Sequence, residues 1–217
     1  VASLLRRAQG RGETLDFALS AYLIAEASAA LHAAHEMNIL HTHITPRDLF
    51  VCYDGTVKVL DLGVASGLDR MAEAEMRGRE LQYASPERCR REKLDRQTDV
   101  FSLGAILWEL AAGTSPFDRV DEADTIRAIC EESIVPPATV VRGLPTQFSD
   151  ITMNALMRSR PKRYQTTLVL REALLDLIKR LGMQTSLKAD LSHVMHKLFD
   201  DRIKAQSEMI ERTGRVV

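Results

Sequence analysis

The chain has 217 residues, with 29 Lys and Arg against 30 Asp and Glu, for a formal net charge of -1. That length suits one domain with a real core, and the near-neutral balance excludes a global basic field for nucleic acid or an acidic membrane. Three cysteines, Cys52, Cys89 and Cys130, follow no pairing or metal-binding spacing and read as free thiols of a reducing cytoplasm.

The opening Val1-Ala2-Ser3-Leu4-Leu5-Arg6-Arg7 lacks the apolar core and cleavage site of a secretion signal. Opening on Val1 predicts a piece of a longer or processed polypeptide. Residues 15–37 carry a long helical pattern, with Thr14 as N-cap and Asn38 as a left-handed terminator. Residues 49–53 and 56–60 are β-rich, and Asp54-Gly55 between them is a strong hairpin signal. Residues 64–79 are small and charged and read as a mobile loop. Residues 98–112 form a second helix, apolar almost all round and therefore buried; Gly113 ends it. Residues 122–132 form a shorter amphipathic helix, Pro136-Pro137 marks a loop, and helices follow around 146–158, 166–180 and 187–212, the last in one or two pieces. Gly143 and Gly182 are weak hinges. Glu26 and Glu109 interrupt the two most apolar runs, so no membrane span is expected. A hairpin alone cannot hold a sheet domain, so it must lie on the helices.

The chemistry-bearing residues fall in a fixed order. His41-Thr42-His43-Ile44-Thr45-Pro46-Arg47-Asp48 precedes the first strand and Asp61-Leu62-Gly63 follows the second. Ser85-Pro86-Glu87 comes next, and Asp99 opens the run to Gly104 in the buried helix. Arg163 lies in Arg160-Pro161-Lys162-Arg163-Tyr164. This set resembles the protein-kinase family, whose large lobe carries H-R-D-L-x-x-x-N, D-F-G and A-P-E in that order. The Ser-Pro-Glu form and the Phe101-Ser102-Leu103-Gly104 run look like bacterial serine/threonine kinases. The tail with Met195 and Leu198-Phe199 is similar to extensions of myxobacterial members. The resemblance implies a mainly α fold: a kinase-like C-terminal lobe with one small β hairpin over residues 1–181, and extra helices as an extension over 182–217. No G-x-G-x-x-G is present, and Gly10-Arg11-Gly12 reads as a turn.

The resemblance also assigns roles. His43 stands where the family keeps its aspartate base, and Thr45 where it keeps the lysine that steadies the transferred phosphate. Asp48 replaces the asparagine that binds the second magnesium. Thr42 replaces an arginine that reads activation-loop phosphate, and Glu80 a threonine that touches the base. Asp61 matches the main magnesium ligand, and Asp48 keeps an oxygen for a hard cation. His41, Leu62, Gly63, Glu87, Asp99 and Arg163 match structural positions. Asp99 is expected to cap backbone near His41, and Glu87 to pair with Arg163. The loop after Gly63 offers few hydroxyls (Ser66, Tyr83, Ser85), so phosphorylation control of the usual kind is not expected. His32/His35, His41/His43 and His193/His196 lack a third ligand at metal spacing.

Together these losses predict a pseudokinase: a cytoplasmic signalling or scaffold module acting through a protein partner, with no cofactor of its own. Two rivals stand, both needing a small lobe outside this chain. One is a serine/threonine kinase of atypical loop chemistry, in which the imidazole of His43, ordinarily titrating near about 6.5, would serve as base. The other is a sensor that binds Mg-ATP without transfer.

Overall fold

The computed structural model describes residues 1–62, 78–183 and 186–214. Gly63, Ser66 and the loop read over 64–79 lie outside the described residues, except that positions 78–83 form a 3-10 turn.

The chain opens with α1 (Ala2–Gln9), a helix that the sequence pattern did not announce. No side chain caps its start. It forms because Leu4, Leu5 and Ala8 share one buried face, and tertiary burial outweighs weak local preference in a helix this short. The Gln9 side-chain amide anchors it by donating to the Gly113 carbonyl. α2 (Phe17–Glu36) starts at Asp16, whose carboxylate accepts from Ala18 N at 2.8 Å. Asp16, not Thr14, is therefore the cap. Asn38 adopts φ 57 just beyond the helix end.

The hairpin follows: β1 (Leu49–Val51) pairs antiparallel with β2 (Val57–Val59), with Phe50 opposite Lys58. Both strands are shorter than the β-rich runs suggested. Alternation places Phe50, Lys58 and Leu60 on one side, and all three are exposed. The other side, with Leu49 and Val51, is buried.

α3 (Pro86–Cys89) is a single turn with proline near its start. α4 (Arg96–Ala112) begins at the Asp95 cap and stops at Gly113, whose φ of 78 suits glycine. α5 (Glu122–Cys130), α6 (Pro137–Val140), α7 (Thr146–Ala155) and α8 (Thr167–Arg180) complete the bundle. α6 occupies the Pro136-Pro137 loop, because a proline at the first helical position costs nothing there. α2 packs most heavily on α8 and then on α4, and α4 also meets α7. At that last contact a Cβ on Gly104 would sit 2.8 Å from Ala155 Cβ, so only glycine lets the helices approach. Helix α2 is long and apolar enough to cross a membrane by length and composition, contrary to the expectation drawn from Glu26. Most of it is buried inside this protein instead, as a core helix is.

α9 (Leu187–Gly214) bends at Phe199, where φ is -123 and ψ 18. Leu191, Met195, Leu198 and Phe199 are buried along its inner side. Arg7 of α1 donates to the Leu198 carbonyl at 2.6 Å and to Asp201 at 2.6 and 2.9 Å, and stacks on the Phe199 ring at 4.6 Å. Lys197 reaches Glu13 at 2.9 Å, and Ser192 Oγ donates to the Tyr53 carbonyl in the hairpin turn at 2.6 Å.

Candidate functional site

The loop at 41–48 is positioned from below by Asp99, in the first turn of α4. Its Oδ2 accepts from His41 N at 3.0 Å and its Oδ1 from Thr42 N at 2.7 Å. Such a carboxylate can hold two amides only if the chain turns sharply. Thr42 accordingly takes φ 69, a region in which a β-branched residue costs of order 1–3 kcal/mol. Arg88 reinforces the turn, with Nη1 at 3.3 Å from both the carbonyl and the hydroxyl oxygens of Thr42. A side chain from α3 thus meets the position that in the resemblance would carry an arginine.

His41 is buried, and its Nε2 lies 3.1 Å from the Leu60 carbonyl, just before Asp61. His43 is half-buried. Its Nδ1 lies 2.8 Å from the His41 carbonyl, and the two rings are 4.7 Å apart. A carbonyl only accepts, so Nδ1 carries the proton and Nε2 of the neutral ring is left as acceptor. Burial first, and then the His41 ring, push the His43 imidazole below its ordinary value.

Thr45 and Asp48 consume one another. Asp48 Oδ2 accepts from Thr45 N at 2.7 Å and from Thr45 Oγ1 at 2.9 Å, while Thr45 Oγ1 accepts from Arg47 N at 3.2 Å. Arg47 reaches outward to Glu80 at 3.3 Å, with both side chains largely in solvent. Asp61 adopts φ 58 and Leu62 beside it is exposed.

Behind the loop, Arg163 donates to both Glu87 oxygens, at 2.7 and 3.1 Å, and both side chains are buried. Burial, the largest single influence, pushes the Glu87 carboxyl up, but the Arg163 guanidinium, the Glu87 amide and the Thr98 hydroxyl together outweigh it and the net shift is downward. Ser85 is fully buried as the cap of α3, and Tyr83 Oη donates to Glu109 Oε2 at 2.7 Å. Neither hydroxyl is presented to solvent.

A cleft of about 320 Å³ opens between α1, the loop and the end of α4. Its walls include Arg6, Arg47, Glu80 and Glu109, so both signs of charge face it.

The model of the protein kinase domain matches residues 3–199. The chain belongs to the protein kinase domain family. The match runs into the first part of α9. Three similar proteins come from bacteria. The chain is 30% identical over 163 residues to the tyrosine-protein kinase MasK of Myxococcus xanthus, covering 70% of this chain and 25% of that protein. It is 31% identical over 162 residues to the serine/threonine-protein kinase PknB of Mycobacterium tuberculosis, covering 72% and 25%. It is 33% identical over 141 residues to a probable serine/threonine-protein kinase PknB of Bifidobacterium longum, covering 63% and 20%. The chain therefore spans a quarter or less of the length of these relatives.

Kinase chemistry uses magnesium and nucleotide, and the residues here can be tested against that pair. Among the described residues, no three His, Cys, Asp or Glu side chains assemble as a metal site. Two carboxylates, Asp48 and Asp61, suit a magnesium ion only when phosphates complete its shell. One Asp48 oxygen is already spent on Thr45. The described residues by themselves do not fit a resident metal.

Two members of this kinase-domain site escaped the sequence reading. Nothing in the local sequence marks Arg88, because its reach to Thr42 depends on how α3 docks. His35 was read as half of a helical histidine pair; it is buried, with Nε2 2.7 Å from Asp99 Oδ2.

Proposed function

We propose that this kinase-domain chain is a non-catalytic module that acts by binding a protein partner. The observation that carries the reading is the phosphate-clamp position of the loop, where Thr45 is bound to Asp48 and brings no positive charge. At the position of the base stands a neutral imidazole turned onto its own backbone at His41. At the position of the phosphate clamp stands a hydroxyl bound to Asp48. Phosphoryl transfer depends on positioning and on positive charge at the transferring group, and losing one such group costs about a hundredfold or more. Thr45 supplies no charge. The scaffold beneath it is kept: Asp99 holds the loop, and Glu87 meets Arg163. The cleft beside α1, with charges of both signs, suits an extended segment of a partner protein.

The second reading, a kinase or Mg-ATP sensor completed by a small lobe, rests on Phe50, Leu60 and Leu62. These are exposed apolar side chains, 52%, 42% and 38% accessible, at the edge of the loop and hairpin. An apolar lobe seated there would cover them.

The deciding experiment is phosphate transfer from radiolabelled ATP. It uses the natural polypeptide that contains this chain, with Mg²⁺ or Mn²⁺, beside its His43→Ala variant. No label on folded protein is the expected result. Label that disappears in the variant makes His43 a working base and overturns the proposal.

A further inference from the structure

Helix α3 ends on Cys89 and helix α5 ends on Cys130. The two helices pack on one another, so two cysteines remote in sequence are carried on neighbouring helix ends. The Cys130 thiol donates weakly to the Pro86 carbonyl, with sulfur and oxygen 3.9 Å apart. Arg90, next to Cys89, donates to the Cys130 carbonyl at 3.2 Å. Cys89 is the next residue but two after Pro86 on the same short helix, so its side chain belongs to the same helix end. Both cysteines are free and half-buried, close enough to the surface for a small oxidant. Cys52, the remaining cysteine, is in the hairpin.

We propose that Cys89 and Cys130 are a modification site: on meeting a peroxide they form a reversible intramolecular disulfide that staples α3 to α5. One thiolate attacks a peroxide oxygen, the O–O bond breaks, and the departing hydroxide takes a proton to leave as water. The sulfur is now a sulfenic acid. The second sulfur attacks it as thiolate, the S–S bond forms, the S–O bond breaks, and a second water leaves. Two electrons from the two thiols have reduced one peroxide to two waters. A thiol reductant returns both cysteines by exchange.

The neighbourhood sets the rate. Burial, and then the adjacent Cys130, push the Cys89 thiol up to about 12. Little thiolate exists at neutral pH, so the reduced pair survives ordinary oxidant levels and the reaction quickens with alkali. Once made, the cross-link ties the turn that carries Glu87 to α5, and it closes a long loop in the unfolded chain. An upward shift in melting temperature of about 5 °C or more is expected.

The test treats the whole reduced chain with hydrogen peroxide, then blocks remaining thiols and maps peptides without reduction. The expected result is a peptide pair joined through Cys89 and Cys130, lighter by two hydrogen atoms and released by dithiothreitol. It should form faster at pH 9 than at pH 7. Cys52→Ser should retain the link, and Cys89→Ser and Cys130→Ser should each abolish it together with the rise in melting temperature. Peroxide-treated protein in which Cys89 and Cys130 still take the blocking reagent, oxidise singly to sulfinic acid, or link only between chains overturns the proposal.

Discussion

The Asp99 carboxylate lies 2.7 Å from Nε2 of His35, and neither side chain has any exposure to solvent. The same carboxylate accepts from the amides of His41 and Thr42. Asp99→Ala would orphan all three donors at once, and breaking a buried charged contact typically costs about 3–5 kcal/mol. His35→Ala removes one contact only and should cost about 1–3 kcal/mol. Urea unfolding of the two variants checks the order: Asp99→Ala should fall well below His35→Ala. Equal losses would mean that Asp99 holds the helix and not the loop.

The Glu87–Arg163 pair should be strongly coupled. Removing either partner leaves a buried unpaired charge, at about 3–5 kcal/mol, so the double variant should lose much less than the sum of the singles. A double-mutant cycle reads this directly. The sign with pH follows from the lowered Glu87 value. The stabilisation is fully present above the ordinary carboxyl value of 4.5 and is lost as pH falls through the lower folded value. The native protein should therefore lose stability in acid more steeply than a folded Glu87→Gln variant.

His43 should titrate below the ordinary imidazole value of 6.5, because burial and His41 disfavour its charged form. Ring-proton NMR against pH gives the midpoint. A midpoint above 6.5 would place an unrecognised anion beside the ring.

Gly55 fixes the seating of α9. Its φ is 80, and a Cβ there would sit 2.1 Å from the Lys188 carbonyl oxygen. Gly55→Ala should push the start of α9 off the hairpin, seen as faster hydrogen exchange over 187–199 with α2 and α4 unchanged. Acid should loosen the far end of the same contact. The Arg7 guanidinium holds the Asp201 carboxyl down at about 2, so its contribution is fully present above the ordinary 3.8 and is lost as pH falls from there through about 2.

Much of this architecture is visible in local chemistry. The Asp54-Gly55 turn sets the hairpin, and Gly113 stops α4 with a positive φ that its neighbours would resist. The break in α9 falls at Phe199, within a stretch whose pattern already allowed two pieces. What stayed hidden depends on partners distant in sequence. α1 has no cap and too few residues to show a period, so only the burial of Leu4, Leu5 and Ala8 reveals it. Thr14 and Asp16 are both good caps, and nothing local chooses between them. In the loop, the residue types at 43, 45 and 48 already depart from the pattern they resemble. Their hydrogen bonds to one another, the reach of Arg88 to Thr42, and the meeting of Cys89 with Cys130 appear only once α3 is docked.

The clasp between Arg7 and Asp201 also has an order in time. During synthesis α1 emerges well before α9, but the carbonyl, carboxylate and ring that hold Arg7 belong to residues 198–201. Until the ribosome has delivered them, α1 lacks this anchor, while α2 and the hairpin can already meet. Contacts of such sequence separation form late, because the intervening chain must first be ordered. A ribosome stalled before residue 198 should therefore display a nascent chain in which α1 is still open to a chaperone.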